Sequence, residues 1–175
     1  MKMYLANGLF SYGDRLVNKE IASRLRQSNR DLDLYVPQEN NEINDKSKIA
    51  GSMMISKADS EELLKSDVLI AVLDGVEIDS GVAAEIGLFS SLGKPIIGLC
   101  TDIRLDQSYN VKKSEIVLDD PIENQYLYRN LFVVGLIKNN GVIVSSIEDL
   151  VFEVQKGHLK SKDNLQITMN EILGE

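Results

Sequence analysis

The sequence predicts an α/β fold: a three-layer α/β/α arrangement on a mostly parallel five-stranded sheet, flavodoxin-like or Rossmann-like. Three observations predict it. Short apolar, β-branched runs alternate with segments of helical period, the order that parallel βαβ units produce. The runs are apolar at consecutive positions rather than at every second one, as strands covered on both faces are. Glycine and proline mark the changes from helix to strand.

In order, "KMYLA" (2–6) reads as the first strand and 13–28 as the first helix. "LDLYV" (32–36) is the second strand. The polar stretch "PQENNEINDKSKIAGSMMISK" (37–57) then exceeds an ordinary βα loop and is expected to form a lid or site wall. The next helix is placed at 58–66, where Asp59 and Glu62 have the spacing of a capping pair. "DVLIAVL" (67–73) is the third strand, 80–92 the following helix and "KPIIGLC" (94–100) the fourth strand, with Gly93 and Lys94-Pro95 at the junction. A second long connection covers 101–123, a helix 124–139, the strand "GVIVS" 141–145 and a last helix 146–157. Residues 160–175 are expected to be frayed or an appended helix, and 1–175 to be one domain, since that length buries roughly 70% of the unfolded chain's surface.

Hydrophobic residues make up 43% and charged residues 26%, ordinary globular values that give no support to a disordered or fibrous chain. With 27 acidic against 19 basic residues the net charge is −8, which repels a phosphate backbone, so no nucleic acid polymer is expected as a partner. The N-terminus lacks a signal-peptide apolar core. The longest clean apolar run, "LFVVGLI" at 131–137, is far short of the roughly 20 residues of a membrane span. A cytoplasmic protein without a membrane partner is expected. Cys100 and His158 each stand alone; the first reads as an inert buried strand cysteine and the second as a solvated helix-end residue. No metal or cofactor is expected, because "ANGLFSYG" misses the dinucleotide glycine spacing and no Walker A stretch occurs.

In open parallel sheets ligands sit beyond the carboxyl ends of strands. That rule selects Asn7 and Gly8, the segment Gln38 to Asn41, the segment Asp74 to Gly81, and Thr101 with Asp102. The third of these opens "DGVEIDSGVAAEIG" (74–87). Asp79 and Glu85 lie about 240° apart on one continuous helix and cannot converge if both are helical. With Ser80 as N-cap, Asp79 curls over the helix start while Glu85 sits in the second turn, and both border one crevice. Glu85 shares its face with Gly81, Leu88, Phe89 and Leu92, and Gly81 with Ala84 leaves space beside it. A carboxylate there is either a structural acceptor or a nucleophile kept ionised. By local rules alone Asp79 is a cap, Asp74 a turn residue, Asp59 a cap, Tyr4 a core tyrosine with a satisfied hydroxyl and Asn41 a loop residue.

Together these residues resemble the nucleoside 2-deoxyribosyltransferase family, whose members share a start like "YLANGLFS", a second strand like "YVPQ" and an acidic pattern like "DGVEIDSGVAAEIG". The similarity covers roughly residues 2–145, and three carboxylates agree with it in order and spacing. The resemblance implies a pentosyltransferase of nucleotide salvage, acting on a deoxyribonucleoside and a free nucleobase without a cofactor. It implies that Glu85 is the nucleophile of a double displacement through a covalent glycosyl-enzyme. Asp59 would contact or protonate the departing base, Tyr4 would orient Glu85, and Asp79 would bind the sugar 5-hydroxyl. Gly8, Gly81 and Asn41 would be substrate-binding positions, Asn41 standing where relatives often carry Gln. The apolar helix "ENQYLYRNLFVVGLIKNNG" implies a homo-oligomer, with Asn130 and Phe132 near the neighbouring subunit's site. Some members carry a C-terminal tyrosine near the base; the tail "DNLQITMNEILGE" has no aromatic residue.

Three rival readings compete. A 2-deoxynucleoside 5-monophosphate N-glycosidase would use the same glutamate, but Asp79 would repel the phosphate and no Arg or Lys lies between Lys65 and Lys94. Arg129 is the candidate cation from elsewhere. A phosphoacceptor receiver domain needs an acidic pair after the first strand, where "ANGL" stands. A non-catalytic nucleoside-binding protein would keep the motifs without turnover.

Overall fold

The computed structural model describes residues 1–45, 50–103, 122 and 129–156. Five parallel strands form one sheet: β1 (Lys2–Ala6), β2 (Asp33–Tyr35), β3 (Val68–Val72), β4 (Ile96–Leu99) and β5 (Gly141–Val144), in the order β2-β1-β3-β4-β5. This is the flavodoxin-like order, whose connections reverse direction at β1 and open a crevice at the strands' carboxyl ends. The expected fold class is the one observed.

The strands are apolar at consecutive positions because alternate side chains enter two cores. Met3, Leu5, Ile70, Val72, Ile97 and Leu99 pack against α1 (Tyr12–Ser28) and α6 (Ile147–Lys156) through Ile21, Leu25 and Leu150. Tyr4, Ala6, Leu69, Ala71 and Leu73 meet the other layer: α3 (Ser52–Lys65), α4 (Ser80–Ser90) and α5 (Leu131–Asn140). That layer contributes Leu63, Ile86, Phe89 and Ile137. The period of two along β1 therefore decides that Tyr4 faces α3 and α4 while its neighbours do not. At the α5 to β5 junction Gly141 pairs with Ile96 so closely that a Cβ would lie 1.9 Å from the Ile96 carbonyl oxygen. No larger residue fits there.

The segment 37–57 differs from its expected polar connection. It contains a 3-10 turn (Pro37–Glu39), the short helix α2 (Asn41–Asn44) and the first turns of α3, whose N-cap is Gly51. Asp59 therefore lies within α3 and does not cap a helix at 58. Gly51 offers no capping side chain and Met53, Met54 and Ile55 are exposed, so the usual start signals are missing. The helix expected at 80–92 ends at Ser90, and Gly93, at φ 62°, closes the turn into β4. Asp79 rather than Ser80 is the N-cap of α4. The helix expected at 124–139 is described from Leu131, and residues 124–128, His158 and the tail lie outside the described residues. Cys100 is buried and free. Among the described residues no helix is long and apolar enough to cross a membrane.

Candidate active site

Tyr4 and Glu85 meet where β1 faces α4. Tyr4 is fully buried on β1 and its hydroxyl donates to Glu85 Oε1 at 2.5 Å. Such a short O–H···O bond is characteristic of an ionised acceptor. Burial is the main reason that Glu85 titrates above the usual carboxylate range, at about 7; the Tyr4 hydrogen bond opposes the rise, and the charges of Asp59 and Asp79 add to it. Burial, followed by the Glu85 charge, also drives the Tyr4 hydroxyl well above its ordinary value. Tyr4 stays protonated and always donates.

Asp59 approaches from the middle of α3 and is half-buried. Its Oδ1 accepts from the Tyr35 hydroxyl at 3.2 Å. Burial raises its pKa above the ordinary 3.8, and the Tyr35 bond pulls it back. Tyr35 ends β2 in register with Tyr4, and the two rings lie 5.2 Å apart at 32°. The nucleophile candidate and the acid candidate are thus each held by one of a pair of packed tyrosines.

Asp79 Oδ1 accepts from Gly81 N at 2.8 Å and Val82 N at 3.2 Å, capping the helix that carries Glu85. A Cβ on Gly81 would lie 3.0 Å from that oxygen, so the glycine lets the carboxylate lie over the helix start. Asp79 is exposed and Glu85 half-buried, and the Asp79 charge acts on Glu85. The capping reading of Asp79 is the one observed.

The other candidates make contacts of their own. Gly8 follows β1, and its carbonyl accepts from Asn18 Nδ2 at 3.0 Å. Asn41 is the exposed first residue of α2. Asn130 caps α5 through Oδ1 to Val133 N at 3.2 Å, and Phe132 beside it is 76% exposed. Asp74 joins the ends of β3 and β4 by accepting from Thr101 N and Oγ1, both at 2.6 Å. The described residues contain no group of three or more His, Cys, Asp or Glu side chains able to hold a metal ion.

The family model for nucleoside 2-deoxyribosyltransferases matches residues 3–145. The chain belongs to this nucleoside 2-deoxyribosyltransferase family. Solved structures agree. A conserved protein from Enterococcus faecalis V583 is 48% identical at a TM-score of 0.76, covering 89% of this chain and 97% of its own. The 2-deoxyribosyltransferase of Bacillus psychrosaccharolyticus shares 18% identity at a TM-score of 0.61, with 86% of this chain and 90% of that one covered. The Clostridium botulinum CMP N-glycosidase shares 16% at 0.52, with 89% and 98% covered. At these lower identities the likeness is one of fold. No curated protein matches the chain.

For a member of the nucleoside 2-deoxyribosyltransferase family, the arrangement supplies one carboxyl group with a fixed donor and a second whose proton affinity is raised by burial. Sequence reasoning missed two features of it. Tyr35 and its donor Asn40, at 2.9 Å, carry no motif by themselves. Their signal is positional: Tyr35 occupies the same level of β2 that Tyr4 occupies on β1. The second is the buried Asn18, which accepts from Asn7 at 2.8 Å and donates to Gly8 O and to Gln38 Oε1 at 3.1 Å, tying the β1 and β2 loops together.

Proposed function

We propose that the protein transfers 2-deoxyribose between nucleobases by double displacement. The observation that carries the reading is the Tyr4 to Glu85 hydrogen bond of 2.5 Å at a half-buried carboxylate beside Asp59. In the first half-reaction a Glu85 oxygen bonds to the anomeric carbon, the N-glycosidic bond breaks, and its electron pair leaves with the base as Asp59 gives that base a proton. In the second half-reaction a new base attacks the anomeric carbon, yields its proton to Asp59 and releases Glu85 as a carboxylate. Inverting twice at one carbon retains configuration. Tyr4 orients the carboxylate, Asp79 and Gly81 receive the sugar 5-hydroxyl end, and Gly8 and Asn41 border the base. Asn130 and Phe132 serve the site of a neighbouring copy in a homo-oligomer; the 76% exposure of Phe132 is consistent with such a contact.

The competing glycosidase acting on nucleotides needs a cation where the sugar 5-phosphate would lie, and Asp79 occupies that edge. Arg129 is buried, with Nε on the Leu73 carbonyl at 3.1 Å and a guanidinium nitrogen 3.1 Å from Asp102, so its charge is already committed. Arg15 and Lys19, which have no ion-pair partner among the described residues, line a cleft of about 440 Å³ beside α1 with Phe10, Tyr12 and Gln38.

The deciding assay incubates the protein with a deoxynucleoside and a second free base, and separately with a deoxynucleoside 5-monophosphate in water, following products by chromatography. Base exchange is the expected result, with a loss of about 10³-fold or more in Glu85→Ala. Base release from the nucleotide alone would replace the transferase by the hydrolase, and binding without turnover would make the protein a nucleoside carrier.

A further inference from the structure

The Tyr35 hydroxyl is held from two sides. Asn40 Nδ2 lies 2.9 Å away and Asp59 Oδ1 3.2 Å away. The orientation of the Asn40 amide is set independently, because its Oδ1 accepts from Glu42 N at 3.0 Å; the group facing Tyr35 is therefore the NH2, which only donates. The phenol oxygen must accept from Asn40, and its one proton points to Asp59. Hydrogen-bond polarity thus runs in one direction, from Asn40 through Tyr35 to Asp59 Oδ1. The ring has little freedom to leave this chain, since it packs on Tyr4 at 5.2 Å and sits in register with it across the two strands.

We propose that Tyr35, backed by Asn40, is a positioning residue for proton transfer at Asp59: it occupies Oδ1, so the acid proton resides on Oδ2 and is exchanged with the base from there. The inference rests on the transferase reading. When the N-glycosidic bond breaks, its electron pair stays on the base nitrogen, the Oδ2 proton moves to the base, and Asp59 is left as a carboxylate. Tyr35 still donates to Oδ1 and stabilises the charge the step creates. In the return step the incoming base loses its proton to Oδ2 as its nitrogen bonds to the anomeric carbon. The same phenol serves both directions without itself gaining or losing a proton, as its own pKa of about 12, raised mainly by burial, allows.

The ionisable groups around Asp59 come from each neighbouring element: Tyr35 from β2, Tyr4 from β1 and Glu85 from α4. On α3 itself Glu62 stands near, in ion pairs with Lys2 and Lys65. Of these, Tyr35 alone is hydrogen-bonded to Asp59 among the described residues.

Tyr35→Phe keeps the ring and removes the donor. Carboxyl-carbon NMR titration of Asp59 is expected to shift upward by about one pH unit in this variant. In base exchange, the alkaline limb of kcat/KM moves up with it, and kcat falls about tenfold, most for bases that are poor leaving groups. Asn40→Ala reproduces both changes at smaller size, and Tyr35→Phe placed on Asp59→Asn adds no further loss. An Asp59 titration unchanged by Tyr35→Phe, or losses that multiply independently in the double variant, would overturn the proposal. The titration needs no turnover, so a protein inactive in exchange would refute the transferase reading while the Tyr35 coupling is still judged by NMR.

Discussion

Replacing Glu85 by Gln is expected to make the protein more stable and inactive. A carboxyl group whose ordinary value of 4.5 becomes about 7 in the fold binds more protons folded than unfolded between those values. Folding stability therefore falls as pH rises from about 4.5 to about 7, and stays reduced above. At about 1.4 kcal/mol per pH unit, the ionised side chain costs at most about 3.5 kcal/mol. Partial exposure lowers that to about 2 kcal/mol. Gln keeps an oxygen to accept from Tyr4 and carries no charge. Denaturant and thermal unfolding at fixed ionic strength should place Glu85→Gln about 2 kcal/mol above the parent at pH 8, a rise of about 4–8 °C in Tm for a chain of this size. The difference should shrink to a few tenths of a kcal/mol at pH 4.5. A gap that does not change with pH, or a less stable variant at pH 8, would refute the burial argument for Glu85.

The other site residues give equally direct expectations. Tyr4→Phe removes the donor that favours ionised Glu85, so the acid limb of the exchange pH profile should move up from about 7 by about one pH unit. Activity should drop about tenfold at pH 7; an acid limb left in place would contradict the orienting role. Asp79→Asn retains a good N-cap and should keep folding stability within about 0.5 kcal/mol while KM for the deoxynucleoside rises, whereas Asp79→Ala also loses about 1 kcal/mol. Equal stability losses in the two variants, measured by urea unfolding, would count against the cap. Arg129→Met removes the ion pair with Asp102 and the donor to the Leu73 carbonyl, a loss of about 3 kcal/mol in chemical denaturation; a neutral substitution would show that the pair is dispensable.

The strands were legible because double-sided burial imposes consecutive apolar residues, and all five appear where those runs lie. Glu85 was legible as a conflict between residue type and helical face. The start of α3 was not, because its N-cap is a glycine and its first turns expose Met53, Met54 and Ile55 to solvent, so neither capping nor periodicity marks it. Asp59 with Glu62 then imitated a helix start inside the helix. Asp79 was legible as a cap, and one of its carboxylate oxygens does cap α4. Tyr35 and Asn40 required the strand register and an amide orientation, and neither is a property of the sequence read along one dimension.

The cap at Asp79 also sets a phase. Because α4 counts from that residue, each inserted or deleted residue before Glu85 would rotate the glutamate by about 100° and carry it off the Tyr4 hydroxyl. Chain length is therefore free to vary ahead of the cap, around the 95% exposed Val76, and frozen behind it. Indels at 75–77 leave the helix register intact, whereas between 79 and 85 they would turn Ile86 and Phe89 off the core along with Glu85.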